Sequence, residues 1–230
     1  MSTITPVNSL VAALGTNGGT SGAMDTTGAD FLVIAVSEDG TTTQSPTDSK
    51  SNTWVALGSW GTATMKVTFY YSENPTVGTG HTFTYSRTGS FSSIAVGAFA
   101  TVKTSSPFDS GTDIGAGSAS ASTLQPGSKT PSENDCIVIS GISFFDNSDP
   151  TIDSGFTRMQ FIRSNFSTYY GVGLAYKIQT TAGAENPTWT CGDPSFINVN
   201  LAVFKSEPAS GFLPRTQYIL GQAVNRAASY

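Results

Sequence analysis

Two stretches of the sequence decide the fold. Residues 29–37 read ADFLVIAVS, and residues 134–142 read NDCIVISGI. Each is a short apolar run rich in branched side chains, which is typical of a strand in the core of a β-sandwich. Asp135 follows Asp30 by 105 positions, and the two runs can be aligned on this pair. The likeness points to an internal repeat with a period of about 105 residues.

Four further pairs of segments match in the same order and at nearly the same spacing. The pairs are 45–49 with 149–154, 69–71 with 174–176, 82–84 with 188–190, and 94–99 with 199–204. Ordered matches at a near-constant spacing predict a duplication, with copies over about 29–103 and 134–205. Between the matched segments lie Gly, Ser, Pro, Asn and Asp, the residues that form turns. Each copy is therefore predicted to contain four or five strands.

Half of a sandwich would leave its apolar face in water, so the two copies are expected to pack on each other. We therefore predict an all-β, two-layer antiparallel jelly-roll β-sandwich over residues 1–206. Two separate half-size domains are the alternative, and each of them would have a thin core. Residues 104–130, rich in Gly, Ala and Ser, are predicted to be a long surface connection with one strand near 122–124. Residues 207–230 are predicted to be a C-terminal tail.

The composition fits a folded β protein and argues against several classes of function. Only 12% of the residues are charged, about half the usual share, while 14 Phe, 8 Tyr and 3 Trp supply apolar area. The net charge is −5 and the 11 Lys and Arg residues are scattered, so neither a nucleic acid nor a membrane is expected as a partner. No apolar run approaches the ~20 residues of a membrane span. The first six residues lack the pattern of a secretory signal peptide.

The residues that usually perform catalysis are few and isolated. His81 is the one histidine and follows a Gly-Thr-Gly turn, so it is predicted to be a solvent-exposed turn residue and not part of a catalytic triad. Cys136 and Cys191 are predicted to be small buried apolar residues rather than a disulfide or zinc ligands. The Glu residues fall at loop-like positions with no recurring motif; they are Glu38, Glu73, Glu133, Glu185 and Glu207. A glycosidase pair, a cofactor and enzymatic activity are therefore not expected.

One loop gathers several oxygen ligands of the kind that calcium prefers. Asp146, Asp149 and Asp153 lie within eight positions of one another, and they are weak candidates for a metal site. Their spacing differs from that of the calcium loop of an EF-hand, and an Asx-rich turn explains them equally well.

Aromatic side chains supply the better argument for a binding site. Trp60, Tyr169 and Tyr170 are candidates for stacking on a ligand such as a sugar ring. The alternative is that they line the core, as Trp189 is expected to do from its position on a repeated strand.

The C-terminal tail carries apolar side chains after a hinge-like segment at 207–211. Those predicted to bind a partner are Phe212, Leu213, Arg215, Tyr218, Ile219 and Leu220. Such a tail can dock on its own domain, reach a neighbouring subunit or stay disordered.

Several strings of the sequence resemble a known module. They are TTGADFLVIAV at 26–36, YYSENPTVGTGHTFT at 70–84, AFATVKTSSPFD at 98–109, SGFT at 154–157 and AVFK at 202–205. Over about 15–205 the chain resembles a widespread jelly-roll β-sandwich module of bacteriophage genomes and bacterial surface proteins. The module carries no catalytic signature.

In phages, the resemblance implies a virion protein: a capsid decoration (cement) protein, a head fibre or a tail adhesin. We therefore expect a non-enzymatic virion structural protein that is assembled in the host cytoplasm. Its expected partners are the major capsid or tail proteins and further copies of itself, as a dimer or trimer. The alternative is a carbohydrate-binding module or host-receptor adhesin that binds surface glycans.

Overall fold

The computed structural model describes residues 3–40, 44–87, 91–165 and 167–208. Within these ranges every regular element is a β-strand. In chain order they are β1 (Thr5–Gly15), β2 (Gly18–Thr20), β3 (Phe31–Glu38), β4 (Thr47–Asp48), β5 (Val55–Gly61), β6 (Lys66–Glu73), β7 (Phe83–Ser86), β8 (Ser92–Ala100), β9 (Ile114–Leu124), β10 (Cys136–Phe144), β11 (Thr151–Ile152), β12 (Thr157–Ile162), β13 (Gly171–Gln179) and β14 (Trp189–Lys205). The tail residues predicted to bind a partner, Phe212 to Leu220, lie outside the described residues.

The strands form two large antiparallel sheets, each from one half of the chain. The order in the first sheet is β1-β8-β3-β6-β5, and in the second β9-β14-β10-β13-β12, with β11 beside the start of β14. A small sheet, β2-β7-β4, accompanies the first. The all-β antiparallel prediction is confirmed. The chain finishes the first sheet before it begins the second, so jelly-roll connectivity, in which strands of the two sheets alternate, is not confirmed by this order.

The strand register shows which residues of the two halves occupy equivalent positions, and it corrects the sequence alignment. Phe31 pairs with Phe99 and Glu73, and Ile137 pairs with Phe204 and Ile178. Ile137, and not Cys136, therefore occupies the position of Phe31. The alignment on Asp30 and Asp135 is one residue out of step in this strand, although the 105-residue spacing suits β8 and β14.

The two large sheets pack face to face over a shared apolar core. Phe31 and Phe69 from the first sheet and Leu174 and Phe204 from the second belong to one buried cluster, and the rings of Phe31 and Phe204 have centroids 4.6 Å apart. The stacking is symmetric: β3 lies on β10, β8 lies on β13 and β6 lies on β14. The two halves thus bury each other's inner face, which is the main source of stability for such a sandwich.

The central strands are buried on their outer faces as well. Leu32, Ile34 and Val36 lie in a second buried cluster that also contains Trp54 and Phe83. In the other half, β10 is covered in the same way by a cluster that includes Trp189. Burial on both faces explains why these strands read as continuous apolar runs rather than as alternating ones. Trp189 is fully buried, as its position on a repeated strand predicted.

Residues 104–130 contain more regular structure than the predicted surface connection, whose one strand was expected near 122–124. They contain β9, an 11-residue strand at the edge of the second sheet. β1 takes the matching position at the edge of the first sheet. Gly115 lets β9 lie close to the indole of Trp60, because a Cβ at this position would overlap that ring and the carbonyl of Val199. Small residues therefore serve packing here.

Candidate functional site

His81 is buried, so the prediction that it is a solvent-exposed turn residue is wrong. Its Nδ1 lies 3.0 Å from Oγ1 of Thr26, its Nε2 lies 3.0 Å from Oδ1 of Asp48, and its ring stacks on Phe83. The order Thr–His–Asp matches that of a hydrolase triad. However, Thr26 is fully buried, and its Oγ1 is engaged with the N–H and the carbonyl of Gly78. The arrangement ties the 24–26 segment to the 78–83 segment.

Glu38 also differs from its prediction as a loop residue, because it is the last residue of β3 and is fully buried. Its Oε1 lies 3.3 Å from Nζ of Lys66. Its Oε2 accepts hydrogen bonds from the hydroxyl of Tyr85 at 2.6 Å and from Nη1 of Arg87 at 2.9 Å. Burial, followed by the hydrogen bond to Glu38, raises the pKa of Tyr85 well above its usual value. This carboxylate balances two cations inside the fold.

The three candidate calcium ligands do not converge. Asp146 accepts hydrogen bonds from the backbone N–H groups of Gly192 and Asp193, Asp149 pairs with Arg163, and Asp153 accepts one from the N–H of Thr188. Within the described ranges, no group of three or more His, Cys, Asp or Glu residues is arranged to hold a metal ion. The Asx-rich turn is thus the interpretation that these contacts favour.

Both cysteines are free and buried. Burial raises the pKa of the Cys136 thiol and of the Cys191 thiol to about 12 each. The Sγ of Cys136 donates a hydrogen bond to the carbonyl of Glu133 at 3.2 Å. At neutral pH both groups are therefore thiols held within the packed second half.

Two of the three candidate stacking residues are packed against the protein itself. Trp60 is half-buried against the core between the sheets, and its Nε1 donates to Oδ1 of Asp113 at 3.3 Å. Tyr170 lies edge-on between Phe91 and Phe145, with centroids 5.7 and 5.6 Å away.

Tyr169, the third candidate, lines an open depression of about 550 Å³ at the end of β12. The residues around it are Asn147, Phe161, Ile162, Arg163, Ser164, Asn165 and Tyr169. The guanidinium of Arg158 covers one face of the Phe161 ring at 4.2 Å from its centroid. At the rim, Nη2 of Arg163 lies 2.5 Å from Oδ1 of Asp149.

A smaller depression of about 240 Å³ lies at the equivalent place in the first half. It is lined by Gly40, Ser59, Gly61, Thr62, Ala63 and Lys66. The register establishes the equivalence: Ser59 pairs with Thr68 and Trp60 with Val67, as Phe161 pairs with Gly173 and Ile162 with Val172. The equivalence ends there, because residues 61–66 join Trp60 to Val67 whereas the longer segment 163–171 joins Ile162 to Val172.

The sequence pointed to Tyr169 but not to the polar residues of the larger depression. Asn147, Arg163 and Asn165 have no distinctive sequence context. The presence of Phe161 where the first copy has the smaller Ser59 would have pointed to this place. An alignment of the copies at a spacing of 105 residues misses this pair, because the spacing in this strand is 102 residues.

The chain matches no protein-family model, no curated protein and no solved structure. Within the part of the chain that the structure describes, there is no helix long and apolar enough to cross a membrane. Arguments about function therefore depend on the geometry and on the sequence resemblance.

Proposed function

We propose that the protein is a non-enzymatic structural subunit of a bacteriophage virion, of the capsid decoration or fibre type. The observation that carries this proposal is that the groups best suited to catalysis hold the fold together. His81 is enclosed by Thr26 and Asp48, and Glu38 is enclosed by Lys66 and Arg87. The resemblance to phage jelly-roll modules supplies the virion context.

The two-sheet body suits a protein that works by binding. Its large sheets share one core, so the body can present its loops and edge strands at fixed positions. A decoration protein stabilises a shell by covering the junctions between major capsid subunits, and the stabilisation grows with its concentration and affinity. Assembly as a dimer or trimer, and contact through the tail residues from Phe212 to Leu220, belong to this proposal.

A duplication of an ancestral half is also part of the proposal. The two large sheets have the same strand order, and the equivalent residues Ser37 and Ser143 meet between the sheets, with their Oγ atoms 2.6 Å apart. Contact between equivalent residues is what a symmetric dimer of halves would produce. Jelly-roll connectivity stays a prediction.

The test is whether the purified full-length protein binds intact phage particles that lack it. We expect saturable co-sedimentation with the particles and an increase in their thermal stability. A variant shortened from Pro208 onward should bind more weakly if the tail is an anchor. Absence of the native protein from purified particles, together with no binding on re-addition, would refute the virion role.

A carbohydrate-binding module or host-receptor adhesin is the second candidate. The depression beside Tyr169 favours it, because about 550 Å³ lies within the range of small-molecule sites. Its lining combines aromatic and amide side chains.

A further inference from the structure

We propose that the depression formed by Asn147, Phe161, Arg163, Asn165 and Tyr169 binds a neutral saccharide. This inference rests on the second candidate function and is independent of the virion role.

The first half shows that the strand does not require a large side chain at the position of Phe161, because it has Ser59 there. The connections that follow differ in length: residues 61–66 join Trp60 to Val67, whereas residues 163–171 join Ile162 to Val172. Arg163, Asn165 and Tyr169 thus lie on a connection three residues longer than this strand pair needs, and Arg163 and Asn165 are exposed. Large side chains on a connection of this kind are typical of a binding surface.

The chemistry of the lining fits a sugar. The rings of Phe161 and Tyr169 offer apolar surface to the C–H face of a pyranose. Within the described part of the chain, the side-chain amides of Asn147 and Asn165 have no hydrogen-bond partner, so each can donate to and accept from sugar hydroxyl groups. Ser164 is different, because its Oγ donates to the carbonyl of Tyr169 at 3.2 Å and its N–H to the carbonyl of Asp146. It shapes the turn.

The charges at the rim favour a neutral ligand over an anionic one. Among the described residues of the lining, Arg163 is the one that carries a charge, and its guanidinium is paired with Asp149. The pair is exposed, at 53% and 45% of the side-chain area, and its charges cancel. A guanidinium has five N–H donors and a carboxylate has several acceptor sites, so both groups can still bind hydroxyl groups while the pair remains formed.

The experiment compares four forms of the full-length chain on an array of neutral hexose and N-acetylhexosamine oligosaccharides, followed by calorimetry on any saccharide bound. The first is the native chain. The second, the exchange variant, replaces three lining side chains by small ones, as Phe161→Ser, Arg163→Gly and Asn165→Ala together. The third is Tyr169→Ala. The fourth, Ala63→Asn, is the control and adds an amide side chain to the smaller depression.

We expect the native chain and Ala63→Asn to bind one saccharide class with equal affinity. The exchange variant and Tyr169→Ala should each lose at least about tenfold, the effect of removing one good stacking or hydrogen-bonded contact. Circular dichroism of each variant checks that it is folded, and Asn165→Ala alone replaces the exchange variant if that one is not.

Two outcomes would overturn the proposal in different ways. If the native chain binds no saccharide on the array, both the site and the second candidate function are refuted, while the virion role is untouched. If the native chain binds but the folded exchange variant binds equally well, the protein binds glycans elsewhere and this site alone is refuted.

Discussion

The hydrogen bond between Ser37 and Ser143 gives a sharp test of how the two halves meet. The two hydroxyls lie 2.6 Å apart, and both side chains are fully buried between the sheets. Replacing either serine by alanine leaves the other hydroxyl buried without its partner. An orphaned buried hydroxyl costs about 1–3 kcal/mol, whereas a satisfied neutral hydrogen bond contributes only about 1 kcal/mol net.

Ser37→Ala and Ser143→Ala should therefore each lower the free energy of unfolding by about 1–2 kcal/mol. The double variant orphans neither hydroxyl, so its loss should be no greater than that of one single variant. The coupling energy in the double-mutant cycle is then about 1–2 kcal/mol.

Urea unfolding followed by tryptophan fluorescence measures all four free energies. As a control, Ser37→Ala combined with the exposed Ser105→Ala should be additive within about 0.5 kcal/mol. If the losses of Ser37→Ala and Ser143→Ala also add without coupling, the two hydroxyls do not bond in solution. The symmetric contact between the halves would then be refuted.

Three further substitutions test other features. Glu38→Gln should cost about 3–5 kcal/mol of unfolding free energy, because it leaves the buried Lys66 and the part-buried Arg87 without their counter-charge. A loss as small as that of exposed Glu133→Gln in chemical denaturation would contradict this. Gly115→Ala should lower the free energy of unfolding by about 1–3 kcal/mol, because the added Cβ overlaps the Trp60 ring. The control is Gly22→Ala, where a Cβ meets no atom within 4 Å. Equal melting temperatures for the two variants would show that β9 can move to accommodate the methyl group. Burial alone would raise the pKa of Asp146, but hydrogen bonds from Ser148, Asp193 and Gly192 outweigh it and lower that pKa. The contribution of Asp146 to stability is therefore complete above the unfolded pKa and is lost as pH falls below about 4. Asp146→Asn should accordingly reduce the loss of stability that the native chain shows at acidic pH. An unchanged loss at acidic pH would argue against this role.

The central strands could be predicted from the sequence because their burial on both faces requires a continuous run of apolar residues. The run from Phe31 to Val36 is apolar at every position, and its short length, its branched residues and the turn residues around it favour a strand over a buried helical segment. The edge strand β9 could not be predicted in the same way. Its Gly, Ala and Ser residues have low strand propensity, and they are used because Gly115 must leave room for Trp60.

The interior polar groups could not be predicted, since they depend on contacts between distant segments. The residues next to His81 in the sequence do not predict its contacts with Thr26 and Asp48, and those next to Glu38 do not predict its contact with Arg87. Of the candidate stacking residues, Tyr169 lines the larger depression, whereas Trp60 and Tyr170 pack against distant segments of the chain. Long-range contacts of this kind leave no local pattern.

The assignment of each sheet to one half of the chain has a consequence for biosynthesis. All strands of the first sheet are complete by Ala100, so a nascent chain can finish their pairing on the ribosome before the second half has emerged. The inner face of this sheet, with Phe31, Phe69 and Phe99, then stays exposed to water until the second half has been synthesised. During that interval the natural substitute for the missing half is the first half of a neighbouring nascent chain. The order of synthesis thus makes exchange of halves between chains the characteristic misfolding hazard of this architecture.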